Sequence, residues 1–109
     1  MTRLWRPMLS LLVGVLVSNA SLAGEIEIDR AQALNDLVRQ DCGSCHGMTL
    51  RGGLGRPLLP ANLAGREDGA IAEVILDGIP GTPMPPWRGL LSEAEALWIA
   101  RALKEGEIR

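Results

Sequence analysis

The chemistry of the chain is concentrated in Cys42-Gly43-Ser44-Cys45-His46. This stretch has the form C-x-x-C-H, the attachment pattern of c-type haem. The pattern has a geometric logic. Two cysteines separated by two residues span the vinyl groups on one side of a porphyrin. The histidine next to the second cysteine is then carried beneath the iron, where it becomes the proximal ligand. Gly43 and Ser44 are small enough for the backbone to pass close to the macrocycle edge. Three other chemistries fit less well. A thioredoxin-like pair wants a βαβ surround, and no such alternation is visible. A zinc site needs about four ligands, and two cysteines with one histidine fall short. A disulfide between residues three apart closes a tiny loop and stabilises little.

His46 is the only histidine of the chain, so a second axial ligand must be another residue type. Of four methionines, Met1 and Met8 fall in an N-terminal leader, and Met48 lies two residues after His46, on the same side of the ring. Met84 is 38 residues beyond His46, in Gly81-Thr82-Pro83-Met84-Pro85-Pro86-Trp87. Flanking prolines stiffen that loop and present the thioether at a fixed geometry. The alternative is that Met84 is an apolar loop residue touching the core. A His/Met pair favours reduced iron, raises the potential and closes both axial positions.

The rest of the chain reads as helices joined by irregular loops. Asp29 can cap a helix with Gln32 as reciprocal partner, and Leu34, Leu37 and Val38 then share a face as far as about Asp41. The segment from Gly47 to Leu63 is broken by four glycines and two prolines and is expected to be loop. A second helix is expected over Arg66 to Asp77, with Ile71, Val74 and Ile75 near one stripe and Gly78 ending it. Four prolines make Ile79 to Gly89 irregular. Ser92-Glu93-Ala94-Glu95 is a capping box opening a last helix through Leu97, Trp98, Ala100, Arg101 and Leu103. The expected fold is all-α, about three helices and long loops wrapped around one haem.

The chain has 109 residues, enough for one small domain. Its N-terminus reads as a secretory signal peptide: Arg3 and Arg6, an apolar run from Met8 to Val17, then Ser21-Leu22-Ala23 as a small-x-small cleavage site. Residues 1–23 are the expected signal and residues 24–109 the functional domain. The competing interpretation is an uncleaved anchor, but the apolar run is short of the roughly 20 residues a span needs. Residues 24–109 carry nine basic and thirteen acidic side chains, a net charge of −4. That balance argues against nucleic acid and anionic membrane surfaces as partners. Phe and Tyr are absent and only Trp87 and Trp98 remain as aromatics after residue 23. So small a domain buries a modest apolar area and usually needs a staple. A haem, as a large apolar disc, would supply one.

Cys42 to Gly47, the glycine-rich loop, Pro60 to Leu63, Gly78, and Gly81 to Trp87 together resemble a class I monohaem cytochrome c, over essentially all of residues 24–109. Cys42 to Gly55 and Pro80 to Trp87 are most similar to the small periplasmic cytochrome encoded beside the nitrite reductase of denitrifying bacteria. The resemblance implies that the first and last helices cross near a haem edge through Leu34, Leu37, Leu97 and Trp98. It also implies that a backbone carbonyl in the loop after the haem motif accepts a hydrogen bond from His46. Relatives often read Gly-Pro there, whereas this chain reads Gly55-Arg56-Pro57, so either Pro57 or the Arg56 peptide is the acceptor. Arg56, Arg88 and the Trp87 ring N–H are candidate partners of the haem propionates. Equally, both arginines could be solvated surface charges and both tryptophans plain core residues.

These features point to a periplasmic one-electron carrier, not an enzyme, with one covalent haem c on Cys42 and Cys45 and with His46 and Met84 on the iron. It would be a monomer without stable membrane insertion after signal cleavage. By resemblance, its redox partner is nitrite reductase or an enzyme that makes that reductase's specialised haem. The rival from another class is a haem sensor in which Met84 detaches; a haem-free thiol oxidoreductase is the third.

Overall fold

The computed structural model describes Gly14 and residues 26–108. Apart from Gly14, the signal peptide expected over residues 1–23 lies outside the described residues. Among the described residues the fold is helical, with no strand.

Helix α1 spans Ile28–Leu37. It starts earlier than the Asp29 cap anticipated from sequence. Glu27 occupies the N-cap, no side chain caps it, and the Ala31 N–H donates to the Glu27 carbonyl at 2.8 Å. Ile26 packs against the core, so the chain has entered the helix before Asp29 is reached. Asp29 lies instead in the first turn, where its charge complements the helix dipole. The helix then widens into a π-helical turn at Val38–Cys42, closed by a hydrogen bond from the Gly43 N–H to the Val38 carbonyl. A last α-helical turn, α2 at Gly43–His46, carries the remainder of the C-x-x-C-H motif.

The segment expected to be loop holds one further turn of helix, α3 at Pro60–Leu63. Pro60 sits at its start, where its missing N–H is no loss. A single turn has no period to read in the sequence, and a proline there looks like a breaker. Helix α4 covers Asp68–Asp77, two residues shorter at its start than expected. Helix α5 covers Glu93–Glu105 and opens on the capping box anticipated from sequence: the Glu95 N–H donates to Ser92 Oγ at 3.1 Å, and the Ser92 N–H to Glu95 Oε1 at 2.9 Å.

The core is aliphatic. Leu34 and Val38 from the first helix meet Ala72, Ile75 and Leu76 of α4 and Ala96, Ile99 and Leu103 of α5. Alanines at 96, 100 and 102 on the buried face of α5 allow close helix approach. Of the four crossing residues implied by resemblance, only Leu34 is fully buried; Leu37, Leu97 and Trp98 are half-buried at the margin. An ion pair between Arg30 and Glu95 ties α1 to α5. Lys104 Nζ ties α5 to the start of α4, donating to the Arg66 carbonyl at 2.7 Å and to Asp68 Oδ1 at 2.9 Å.

Candidate functional site

The π-helical turn, α2 and the loop after it, α3, α4, the loop after α4 and α5 line one large cavity of about 840 Å³. Its volume lies in the upper part of the 300–1,000 Å³ typical of ligand and cofactor pockets. Cys42, Cys45 and His46 line it, as does Met84. The four residues singled out from sequence are therefore gathered around one space. Met48 is largely exposed and is not part of the lining. Much of the wall is aliphatic, including Leu63, Ile71, Val74, Ile75, Ile79 and Ile99. The stripe anticipated on α4, Ile71, Val74 and Ile75, lines the cavity. Ile75 is also buried in the protein core, together with Ala72 and Leu76, which the stripe did not include.

The loop after α2 folds back onto the end of the motif. The Gly52 N–H donates to the His46 carbonyl at 2.8 Å and the Gly55 N–H to the Cys45 carbonyl at 2.7 Å. These bonds satisfy carbonyls that a helix end would otherwise leave open. The same fold brings the Arg56 carbonyl to 2.7 Å from His46 Nδ1. A carbonyl oxygen only accepts, so Nδ1 carries the proton and Nε2 keeps its lone pair for a metal. The acceptor left open between Pro57 and the Arg56 peptide is therefore the Arg56 carbonyl. Gly55 makes this approach possible: a Cβ there would lie 2.7 Å from both Cε1 and Nδ1 of His46.

Met84 is held on a loop that begins at the end of α4. Gly78 stops the helix at φ +66°, and a Cβ on it would lie 2.6 Å from the Met84 carbonyl oxygen. The Ile79 N–H donates to that carbonyl at 3.2 Å. The far end of the loop returns to α4. The Trp87 N–H is shared between the carbonyls of Ile75 and Leu76, and the Arg88 N–H donates to Leu76 at 2.9 Å.

Arg88 is otherwise engaged than as a propionate partner. Its Nε and Nη2 donate to Asp77 Oδ1 and Oδ2 at 2.8 and 3.0 Å, its Nη1 lies 3.6 Å from Glu93, and it does not line the cavity. The guanidinium holds the Asp77 carboxyl below the usual carboxylate range. Arg56 and Trp87 do line the cavity, and so do Arg66 and Asn62, which no local pattern singles out. They come from the α3–α4 region and reach the site through tertiary folding alone.

The Cys42 thiol bears on the thiol-redox alternative. Burial pushes the Cys42 thiol up to about 11, with the neighbouring Asp41 charge adding to the effect. A thiol oxidoreductase lowers its attacking cysteine instead, to hold it as thiolate near neutral pH. Among the described residues no group of three or more His, Cys, Asp or Glu side chains is arranged to hold a bare metal ion.

Known proteins are similar to the chain over most of its length. The family model described as "Cytochrome C oxidase, cbb3-type, subunit III" matches residues 29–101. Cytochrome c55X of Paracoccus denitrificans (strain Pd 1222) is 53% identical over 93 residues, 85% of this chain and 90% of that one. The chain belongs to the cytochrome c family. It is a small monohaem cytochrome c related to the nitrite reductase system. The solved structure of the c-type cytochrome NirC superposes with a TM-score of 0.74 at 48% identity, over 76% of this chain and 98% of that one. Dihydro-heme d1 dehydrogenase NirN, solved in complex with DHE, matches with a TM-score of 0.58 at 39% identity, over 63% of this chain and 15% of that one. Haem c is the cofactor of this family. The cavity suits such a group: an aliphatic wall for an apolar disc, two thiols three residues apart, an imidazole with Nε2 free, and a thioether. No helix among the described residues is long and apolar enough to cross a membrane.

Proposed function

We propose that this cytochrome is a periplasmic one-electron carrier with a single haem c held by thioether bonds to Cys42 and Cys45. His46 Nε2 and Met84 Sδ are its axial ligands. One observation carries the assignment: His46, oriented by the Arg56 carbonyl, and Met84, on its own bonded loop, line the same aliphatic cavity as the two cysteines. The haem supplies a reversible Fe(II)/Fe(III) couple. The protein fixes the His46 tautomer, excludes water with Leu63, Ile71, Val74 and Ile99, and fills both axial positions. Filled axial positions leave no site for a substrate on iron, which suits a carrier and not an enzyme. The bonds that close the Met84 loop weigh against a sensor in which Met84 leaves the iron.

Residues 1–23 act as a cleaved signal and place the domain in the periplasm, where the chain works as a monomer. The electron recipient is nitrite reductase or an enzyme that matures its haem. Similarity to NirC and to part of a dihydro-haem d1 dehydrogenase supports the nitrite reductase system as the setting. Stopped-flow mixing of the reduced cytochrome with each candidate decides between them. Oxidation of the cytochrome by one partner, with a rate that rises with partner concentration, identifies the recipient. No oxidation by either removes both from the account.

A further inference from the structure

Met84 lies in a segment with very few backbone donors. Residues 83, 85 and 86 are all proline, so the Met84 N–H is the only amide proton between Pro83 and Pro86. That N–H donates to the Thr82 hydroxyl, with Met84 N 3.3 Å from Thr82 Oγ1. The hydroxyl in turn donates to the Ile79 carbonyl at 2.7 Å. The Thr82 N–H reaches the same Ile79 carbonyl at 3.2 Å, closing a turn over residues 79–82. The circuit is completed by the Ile79 N–H on the Met84 carbonyl. Both backbone polar groups of Met84 are thus tied to Ile79, one directly and one through a single side-chain oxygen. Thr82 also lines the cavity.

We propose that the Thr82 hydroxyl is a positioning clasp for Met84, and that it sets how readily the thioether is displaced from the iron. The proposal rests on the assignment of Met84 as axial ligand. The clasp works because no other group in the proline-flanked segment replaces it. Without the hydroxyl the Met84 N–H loses its partner and the turn loses its side-chain bond, while Ile79 N–H to Met84 carbonyl alone remains. The loop then opens more often, and the thioether departs with it.

The test is displacement of Met84 by imidazole on the ferric holoprotein. In this step an imidazole nitrogen bonds to iron, the iron–sulfur bond breaks, and the oxidation state is unchanged. Thr82→Val keeps the shape and removes the hydroxyl; Thr82→Ala serves if the valine protein does not accumulate. The expected result is binding faster by roughly five- to tenfold, the worth of about one hydrogen bond, with wild-type behaviour in Thr82→Ser and an unchanged global melting temperature. Wild-type binding rates in Thr82→Val would overturn the clasp. So would a faster rate matched by an equal loss of global stability, or failure of Thr82→Ser to restore the rate. Met84→Ala separates the two layers. If it binds imidazole at the wild-type rate, then Met84 is not the ligand and the underlying assignment falls; if it binds faster than every Thr82 variant, that assignment stands and the Thr82 results judge the clasp alone.

Discussion

The position of one imidazole depends on a glycine and a carbonyl. Gly55 lies against the His46 ring, and a methyl group there would stand 2.7 Å from two of its atoms. Gly55→Ala is therefore expected to push the ring away from the Arg56 carbonyl. Loss of a bond to the outer nitrogen of a ligand histidine lowers its basicity and its fixed orientation. The predicted outcome is a shifted reduction potential and a lower yield of holoprotein, measured by redox titration and by haem content per protein. An unchanged potential with full haem would show that the ring has another anchor. Much of this site was legible at the residue scale, because haem attachment imposes spacing along the chain itself. Cys42, Cys45 and His46 fall within five consecutive residues, and Met84 stands out among prolines. The Arg56 carbonyl was narrowed to two neighbouring peptides. Arg66 and Asn62 were not legible, since they reach the cavity from another element without a local pattern. Of the two roles open for Arg88, propionate partner or surface charge, the second holds, because Asp77, eleven residues earlier, pairs with it outside the cavity.

At the scale of elements, α5 is the most strongly specified helix. Its capping box is complete on both sides, and the Ser92→Ala variant is expected to lose about 1 kcal/mol of stability, measured by denaturant unfolding. Glu95 does double duty, capping Ser92 and pairing with Arg30 of α1. Its carboxyl is held below the usual range, first by the hydrogen bond from Arg30 and then by the Ser92 backbone. Asp68 is likewise held low, chiefly by Lys104. Each group has a lower pKa folded than unfolded, so its stabilisation is complete above the ordinary carboxylate value of about 4 and is lost as pH falls through the folded value. The expected outcome is a melting temperature that drops below about pH 4, with a shallower drop in Arg30→Gln. Equal slopes in the two proteins would show that the pair does not couple to folding. The capping box and the α4 and α5 patterns were readable because periodicity and caps are local. The π-helical turn at Val38–Cys42 was not, because one extra residue in a turn leaves the apolar pattern almost unchanged. The short α3 turn was hidden for a related reason, as four residues carry no period.

For the molecule as a whole, the cavity is the organising feature. A core of small and medium aliphatic side chains surrounds about 840 Å³ lined by Leu63, Ile71, Ile75 and Ile99. The shortage of aromatic bulk noted in the sequence is consistent with this arrangement, since the space is left for a cofactor and not filled by side chains. Replacing both Cys42 and Cys45 with alanine should abolish covalent haem, read by haem staining on a denaturing gel, and should broaden thermal unfolding. Retained covalent staining would refute attachment at these residues. Whether His46 and Met84 hold the iron between them is read from the absorption spectrum of the ferric holoprotein beside that of Met84→Ala. The wild type is expected to show a low-spin spectrum with a methionine–iron charge-transfer band, and the variant no such band, a lower potential and binding of carbon monoxide once reduced. A high-spin ferric wild type, or a band that survives in Met84→Ala, would contradict that ligation.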